Sequence, residues 1–323
     1  MNKKTKIKTK LSILSVALIT GLSMNAFAGY YVMIPINTMP QIIDETGNPA
    51  DLPPLVGEPD GSGSGSGEVN PPLPPNPIDD PEAEPSLNWL TYLQNFGSSG
   101  SPMSITSLND LYLTSKSVDI NVITNNPDNL FNEPLGVKSL HEWRSNYYPN
   151  LNHLRGVTSI SKIDINSVES FDGLEYLENV NDFWSMSNPN LKDVSALRSL
   201  KSVNFMRLGW NKIEKIPSFD NKVQINYLFL NNNNISSIAS LGKNVEIKKA
   251  LNIQNNPITD LSPLNNLKNI GSGFYLALDD LDTYTTLLDK DSEICIKFSV
   301  RQADISANNL GVSPQNEFSR ICK

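Results

Sequence analysis

Histidine and cysteine are nearly missing from this chain of 323 residues, which holds two of each. Cys295 and Cys322 lie near the C-terminus, far in sequence from His141 and His153, and no nucleophile motif surrounds either cysteine. A catalytic cysteine therefore has no sequence support. Lysine and arginine are absent from Leu11 through Ser115. The formal charge of the whole chain is −8, and five of its 26 basic residues stand within the first ten positions. The remainder of the chain is more acidic still, which disfavours nucleic acid and anionic lipid as partners, since both reward clustered Lys and Arg. Long apolar runs are lacking as well. Leu11–Leu22 is apolar, but it is shorter than the ~20 residues that a membrane-spanning helix needs. Convergent chemistry is also missing. Gly271-Ser272-Gly273 lacks the rest of a phosphate loop, and His141-Glu142 has no second histidine four residues on. Asp279, Asp280 and Asp282 offer calcium only a weak site, because Leu281 and Tyr284 suit the end of a repeat better. The expectation is a binding protein with no cofactor and no metal, not an enzyme.

The first residues read as a leader. Met1–Lys10 carries five lysines and no acid, Leu11–Leu22 is apolar, and Asn25-Ala26-Phe27-Ala28 offers a small-residue cleavage site. That order predicts a signal peptide over 1–28 and a secreted product, periplasmic or extracellular, with no membrane insertion after cleavage. No cysteine follows the apolar core, so a lipid anchor at a processed cysteine is not expected. Export to an oxidising compartment favours a disulfide between Cys295 and Cys322.

Thirteen of the 22 prolines fall between Pro35 and Pro85. Residues 29–85 therefore read as an acidic, Pro/Gly-rich, disordered arm that repels itself and acts as a spacer. Within it Gly61–Gly67 is flexible by composition, and Pro71-Pro72-Leu73-Pro74-Pro75 is stiffer and extended. Tyr30-Tyr31-Val32-Met33-Ile34-Pro35-Ile36 is apolar. It either adds to the sheet edge of a partner or folds back on the rest of the chain. Ser86 predicts the N-cap of a short helix on which Trp89, Leu90, Leu93 and Phe96 share a face, with Gly97 as its stop. That segment, 86–103, would cover the first turn of the array that begins near Ser104.

From there the sequence repeats itself. Leu251-x-Ile253-x-x-Asn256-x-Ile258 returns as Leu228-x-Leu230-x-x-Asn233-x-Ile235 and as Met206-x-Leu208-x-x-Asn211-x-Ile213, with a weaker copy from Phe274 to Leu281. Their closing positions are spaced 22, 23 and 23. Earlier copies close at Leu151, Phe171 and Leu191, 20 apart. The apolar-x-apolar step is a strand with two inward side chains. The asparagine satisfies backbone groups at the following turn, and its repetition stacks the amides into a ladder. Each coil buries its apolar edge only against its neighbours. The stretch after the asparagine, such as Ile258-Thr259-Asp260-Leu261-Ser262-Pro263-Leu264, returns the chain along the other side.

These residues resemble the leucine-rich-repeat family, and Asn255 to Leu267 is similar to the bacterial internalin-like subclass of about 22 residues. The form Asn188-Pro189-Asn190-Leu191 is closer to irregular repeats of receptor L-domain type. The resemblance runs from about Ser104 to Lys290. It departs from the pattern where Tyr148 and Val168 replace the asparagine, and no internalin-type cap or wall-anchoring signal is seen. It implies an α/β solenoid, a horseshoe with a concave parallel β-sheet and repeats over 104–290, to which the Ser86 helix and the cysteine pair add an N-terminal helical cap and a disulfide-closed C-terminal cap over 291–323. It further implies a ligand on the concave face.

In this frame the concave face carries Arg144, Tyr147, Trp184, Met186, Arg207, Trp210, Phe229, Asn231, Gln254 and Tyr275 as candidate ligand-binding residues. Aromatic residues and arginine are enriched at interface hot spots. The ligand implied is a protein or a glycan, and host interaction or adhesion is the role such a face suits. A shift of one residue at the Asn188-Pro189 repeat would instead turn Trp184 and Met186 inward. A second reading makes the chain a structural component of an envelope or extracellular assembly, docked through Tyr30–Ile36. A third, a secreted enzyme, would have to place its chemistry in residues 291–323, which are too few.

Overall fold

Burial recurs at fixed steps along each coil. Ile160, Ile163 and Ile165 are buried, as are Val203, Met206 and Leu208, and then Ile225, Leu228 and Leu230. Each such side chain contributes about 1.5–3 kcal/mol when fully withdrawn from water. The residues between them face the other way, as a pleated strand requires. The computed structural model describes residues 70–79, 85–97, 100–120, 130–145, 151–307 and 318–323. The expected leader and the apolar segment Tyr30–Ile36 lie outside the described residues, as does Tyr147.

Among the described residues nine strands form one parallel sheet in chain order. They are β1 (Ser117–Asp119), β2 (Ser139–Ser145), β3 (Ser159–Ile165), β4 (Asn179–Trp184), β5 (Ser202–Arg207), β6 (Val223–Phe229), β7 (Val245–Asn252), β8 (Phe274–Leu278) and β9 (Ala303–Ala307). The register aligns the inward residues. Trp143, Ile163, Phe183, Met206, Leu228, Leu251, Leu276 and Ile305 form one row across the sheet. Leu140, Ile160, Val180, Val203, Ile225 and Ile247 form another. Short 3₁₀ turns at Ser195–Ser199, Ala239–Gly242 and Ser262–Asn266 carry the chain back between strands, burying Leu197, Leu241 and Leu264. The arrangement is that of a solenoid-like α/β coil stack, with few helices. The register slips at one joint: Ile225 pairs with Ile247 but Tyr227 pairs with Ala250, so β7 carries an extra residue there.

The asparagines stack as the spacing predicts. The Asn233 amide donates to Leu208 O and Leu230 O, both at 2.9 Å, while its oxygen accepts from Ile213 N at 3.0 Å. Asn256 repeats this one coil on, donating to Leu230 O and Ile253 O and accepting from Ile235 N. Asn211 donates to Ser185 O and Leu208 O, and its oxygen accepts from Asn188 N. These amides are buried, so each satisfies backbone groups that water cannot reach.

Both ends of the stack are closed. Helix α1 (Leu87–Asn95) starts at Ser86, whose Oγ accepts from Trp89 N at 3.2 Å. Trp89 is fully buried, with its ring 5.3 Å from Phe131 and 5.7 Å from Trp143, and its Nε1 donates to Glu133 O. A one-turn helix α2 (Asp110–Leu113) precedes β1. At the other end α3 (Glu293–Ser299) and the short α4 (Phe318–Ile321) hold Cys295 and Cys322, which are paired with their Cα atoms 5.9 Å apart. No helix among the described residues is long and apolar enough to cross a membrane.

Part of the arm is docked. Asn70–Asp79 lies along the coil ends just before strands β2–β6, held by hydrogen bonds from Tyr176, Arg198 and Asn76 and by the Lys138–Asp79 ion pair. Composition reads this stretch as spacer because it can contribute no core. Its 3₁₀ turn contributes none, and its carbonyls dock instead on side chains of the coil ends.

Candidate ligand-binding face

The outward side of the sheet carries two aligned columns. One runs Glu142, Lys162, Asp182, Phe205, Tyr227, Ala250 and Tyr275. The other runs Arg144, Asp164, Trp184, Arg207, Phe229, Asn252 and Ala277. The strand register thus sorts the face into a charged zone on β2–β4 and an aromatic zone on β4–β6.

Glu142 organises the charged zone. It accepts from Ser117, from Arg144 at 2.8 Å and from Lys162 at 3.0 Å. Partial burial works against its charge, but the bonds from Ser117, Lys162 and Arg144 prevail and hold its carboxyl down at about 2. Asp164 and Asp182 are the reverse. Burial lifts both above the usual carboxylate range, against the pull of Arg144 on the first and Arg207 on the second.

Arg207 joins the two zones. Its guanidinium is ion-paired to Asp182. It also lies 4.5 Å from the Phe205 ring centre and 5.1 Å from that of Trp184. A cation over aromatic faces is attracted by the ring quadrupole. Phe205 in turn stacks flat on Tyr227, 4.4 Å centre to centre and 6° from parallel. Beside this stack Asn226 donates to Asn204 at 2.9 Å and Asn204 to Asn181 at 3.1 Å, a second amide ladder on the outer surface. The face is therefore an arginine held among aromatic rings, edged by amides.

Trp210 adds a strained element. It is 52% exposed and its φ is +56°. The same place in neighbouring coils is held by Ser167, Ser187, Asn232 and Asn255, all with positive φ. Asparagine tolerates this left-handed conformation, and a bulky aromatic does not. An exposed tryptophan in such backbone is a mark of function more than of folding.

The predicted residues divide as follows. Trp184 (38% exposed), Arg207 and Phe229 come together, and the outward direction of Trp184 settles the register at the Asn188-Pro189 repeat. Met186 is half-buried, and Arg144 is engaged with Glu142. Asn231 is only 7% exposed, so its side chain is withdrawn from the surface. The Gln254 amide donates to Leu278 O, which spends it within the fold. Tyr275 is 43% exposed but stands apart, with Ala250 between it and Tyr227. Phe205, Tyr227, Asp182, Glu142 and Lys162 are not among the residues to which the sequence points. Their signal is the apolar residue three places before each strand motif, such as Val203 before Met206, which shows that two outward residues precede the inward one. Asp279 spends both carboxylate oxygens on Asn255 N, and among the described residues no group of three or more His, Cys, Asp or Glu side chains gathers. No family model matches the chain. No curated protein matches it either.

Proposed function

We propose that the chain is a secreted leucine-rich-repeat protein that binds a protein or glycan ligand through the outward face of its sheet, which would be the concave face of a horseshoe. One observation carries the proposal: the Arg207 cluster, in which the guanidinium lies against Trp184 and Phe205, Tyr227 stacks on Phe205, and Phe229 is paired with Arg207 on the next strand. Trp184 is exposed and Phe205, Tyr227 and Phe229 are half-buried, and contiguous surface aromatics with arginine are what interface hot spots are made of. The chain-order parallel sheet and the buried asparagine ladder support the repeat family. The paired Cys295 and Cys322 support an oxidising destination. In this role the chain acts by recognition and not catalysis, with host interaction or adhesion as the setting.

The test is capture of partners by immobilised full-length protein and by a Trp184→Ala/Trp210→Ala/Phe229→Ala variant of unchanged circular dichroism. Candidate host cells, their glycans and the producing cell's own envelope extract serve as sources. A partner held by the wild type and lost by the variant is the expected result. A partner held equally by both would remove the function from this face.

A further inference from the structure

We propose that the coil ends preceding β2–β6 form a binding site for extended, proline-rich peptide, which the chain's own Asn70–Asp79 occupies in cis. The segment is shaped before it docks. Proline fixes its own φ and pushes the preceding residue to extended backbone, so Asn70-Pro71-Pro72-Leu73-Pro74-Pro75 has almost no choice but a polyproline strand. Such a strand makes no internal hydrogen bonds and leaves its carbonyls for outside donors.

The coil ends supply partners at the matching pitch, about one per coil. Before β6, Ser218 O and Asp220 accept from the Asn70 amide at 2.8 and 2.9 Å. Before β5, Arg198 donates to Pro71 O while held by Asp220 at 2.6 Å. Before β4, the Tyr176 hydroxyl donates to Pro74 O at 3.1 Å or Pro75 O at 3.2 Å. Before β3, Gly156 O accepts from the Asn76 amide at 3.0 Å. Before β2, Lys138 meets Asp79 at 2.6 Å. Gly156 is shaped for the occupant: a Cβ there would stand 2.5 Å from the Ile78 side chain, and its φ is +92°. An aromatic hydroxyl and a guanidinium reading proline carbonyls is recognition chemistry, with the proline rings fixing the spacing.

The occupant is also free to leave. None of the residues of its 3₁₀ turn, Pro77–Asp79, is buried, its hydrogen bonds lie at exposed or part-buried sites, and its apolar side chains, Leu73 and Ile78, are only half-buried. None of residues 70–79 belongs to the buried core. A peptide of the same chemistry supplied from outside therefore competes for the same row of donors and acceptors.

The experiment uses full-length chains and a fluorescein-labelled peptide of residues 70–79, read by anisotropy. A chain with its own strap weakened by Asn70→Ala, Pro74→Gly, Pro75→Gly and Asn76→Ala should bind the peptide at least tenfold more tightly than wild type, whose site is filled. Adding Tyr176→Phe and Arg198→Ala to that chain should abolish the gain. No binding to the weakened chain at millimolar peptide, or equal binding with and without the rim substitutions, overturns the proposal. Tyr176→Phe alone, which removes one hydroxyl and leaves the fold intact, gives an independent reading. It should speed cleavage before Asp79 by an aspartate-directed protease severalfold, since cleavage follows the opened population. An unchanged rate would equally overturn the proposal.

Discussion

Trp210 is where the fold and the proposed function pull apart, and Trp210→Asn separates them. A left-handed residue other than glycine or asparagine carries a cost of about 1–2 kcal/mol. The side chain is half in water, so little burial offsets that cost. An amide at this place has a ready neighbour, because Asn255 already donates to Asn232 at 3.0 Å in the equivalent positions of the next two coils. Substitution should therefore stabilise the protein by about 1 kcal/mol, raising Tm by roughly 2–4 °C for an array of this size. The same change removes an aromatic from the proposed ligand face and should weaken capture of the ligand about tenfold or more, as hot-spot truncations do. Thermal unfolding followed by circular dichroism reads the first quantity, and the capture assay reads the second. A fall in Tm of about 2 °C or more would refute the strain argument and make Trp210 a packing residue. Unchanged capture would take it out of the binding face.

Three further outcomes are expected. Asn233→Ala should cost about 2 kcal/mol, measured by urea unfolding, because it strands Ile213 N out of reach of water and takes one of two amide donors from Leu208 O and Leu230 O, which keep Asn211 and Asn256, whereas exposed Asn234→Ala should be neutral. His153 is buried against Trp89, Phe131 and Trp143, and burial pushes its imidazole down to about 3. The unfolded ring takes up a proton first, so this contribution to stability is intact above about pH 6.5 and is lost as pH falls toward 3, by on the order of 4 kcal/mol. His153→Phe should flatten that part of the acid limb, and an unaltered limb would assign it to other groups. Replacing Cys295 and Cys322 together with serine should lower stability by roughly 3–4 kcal/mol in the chain-entropy picture. A loss under about 1 kcal/mol would mean that the closure does little.

The inward half of the fold is legible in the sequence because backbone geometry leaves it no choice. A buried asparagine at the turn, and isoleucine or leucine at alternating places, follow from what must be dry and what must be bonded. Hence Asn211, Asn233 and Asn256 read correctly from their spacing alone. The outward half is constrained by nothing in the fold, and there the sequence speaks only in part. It places Trp184, Arg207 and Phe229, but it passes over Phe205 and Tyr227 when the motif is taken from its second apolar residue and not from the first. Asn231 looks like a surface residue in sequence and is withdrawn by the close approach of its side chain to Gly209. The docked strap is hidden for a different reason. Composition measures how much core a segment can build, and Pro71–Pro75 builds none. What holds it is a row of donors and acceptors scattered over the coils, which becomes visible only when the coils are stacked.

The slip between β6 and β7 bears on how the molecule comes apart. With Trp89 buried at one end and Cys295 bridged to Cys322 at the other, unwinding from either tip should be slow. Beyond the slip only Ala250, Leu251 and Asn252 of β7 pair with β8, against six paired positions between β6 and β7, so the β7–β8 joint is the place where the sheet should part first. Amide exchange should then be quicker at this seam than on either side of it. A ligand that reaches from the Arg207 cluster to Tyr275 would bridge the seam like a suture, so that recognition at the surface is felt as a change in how the whole array breathes.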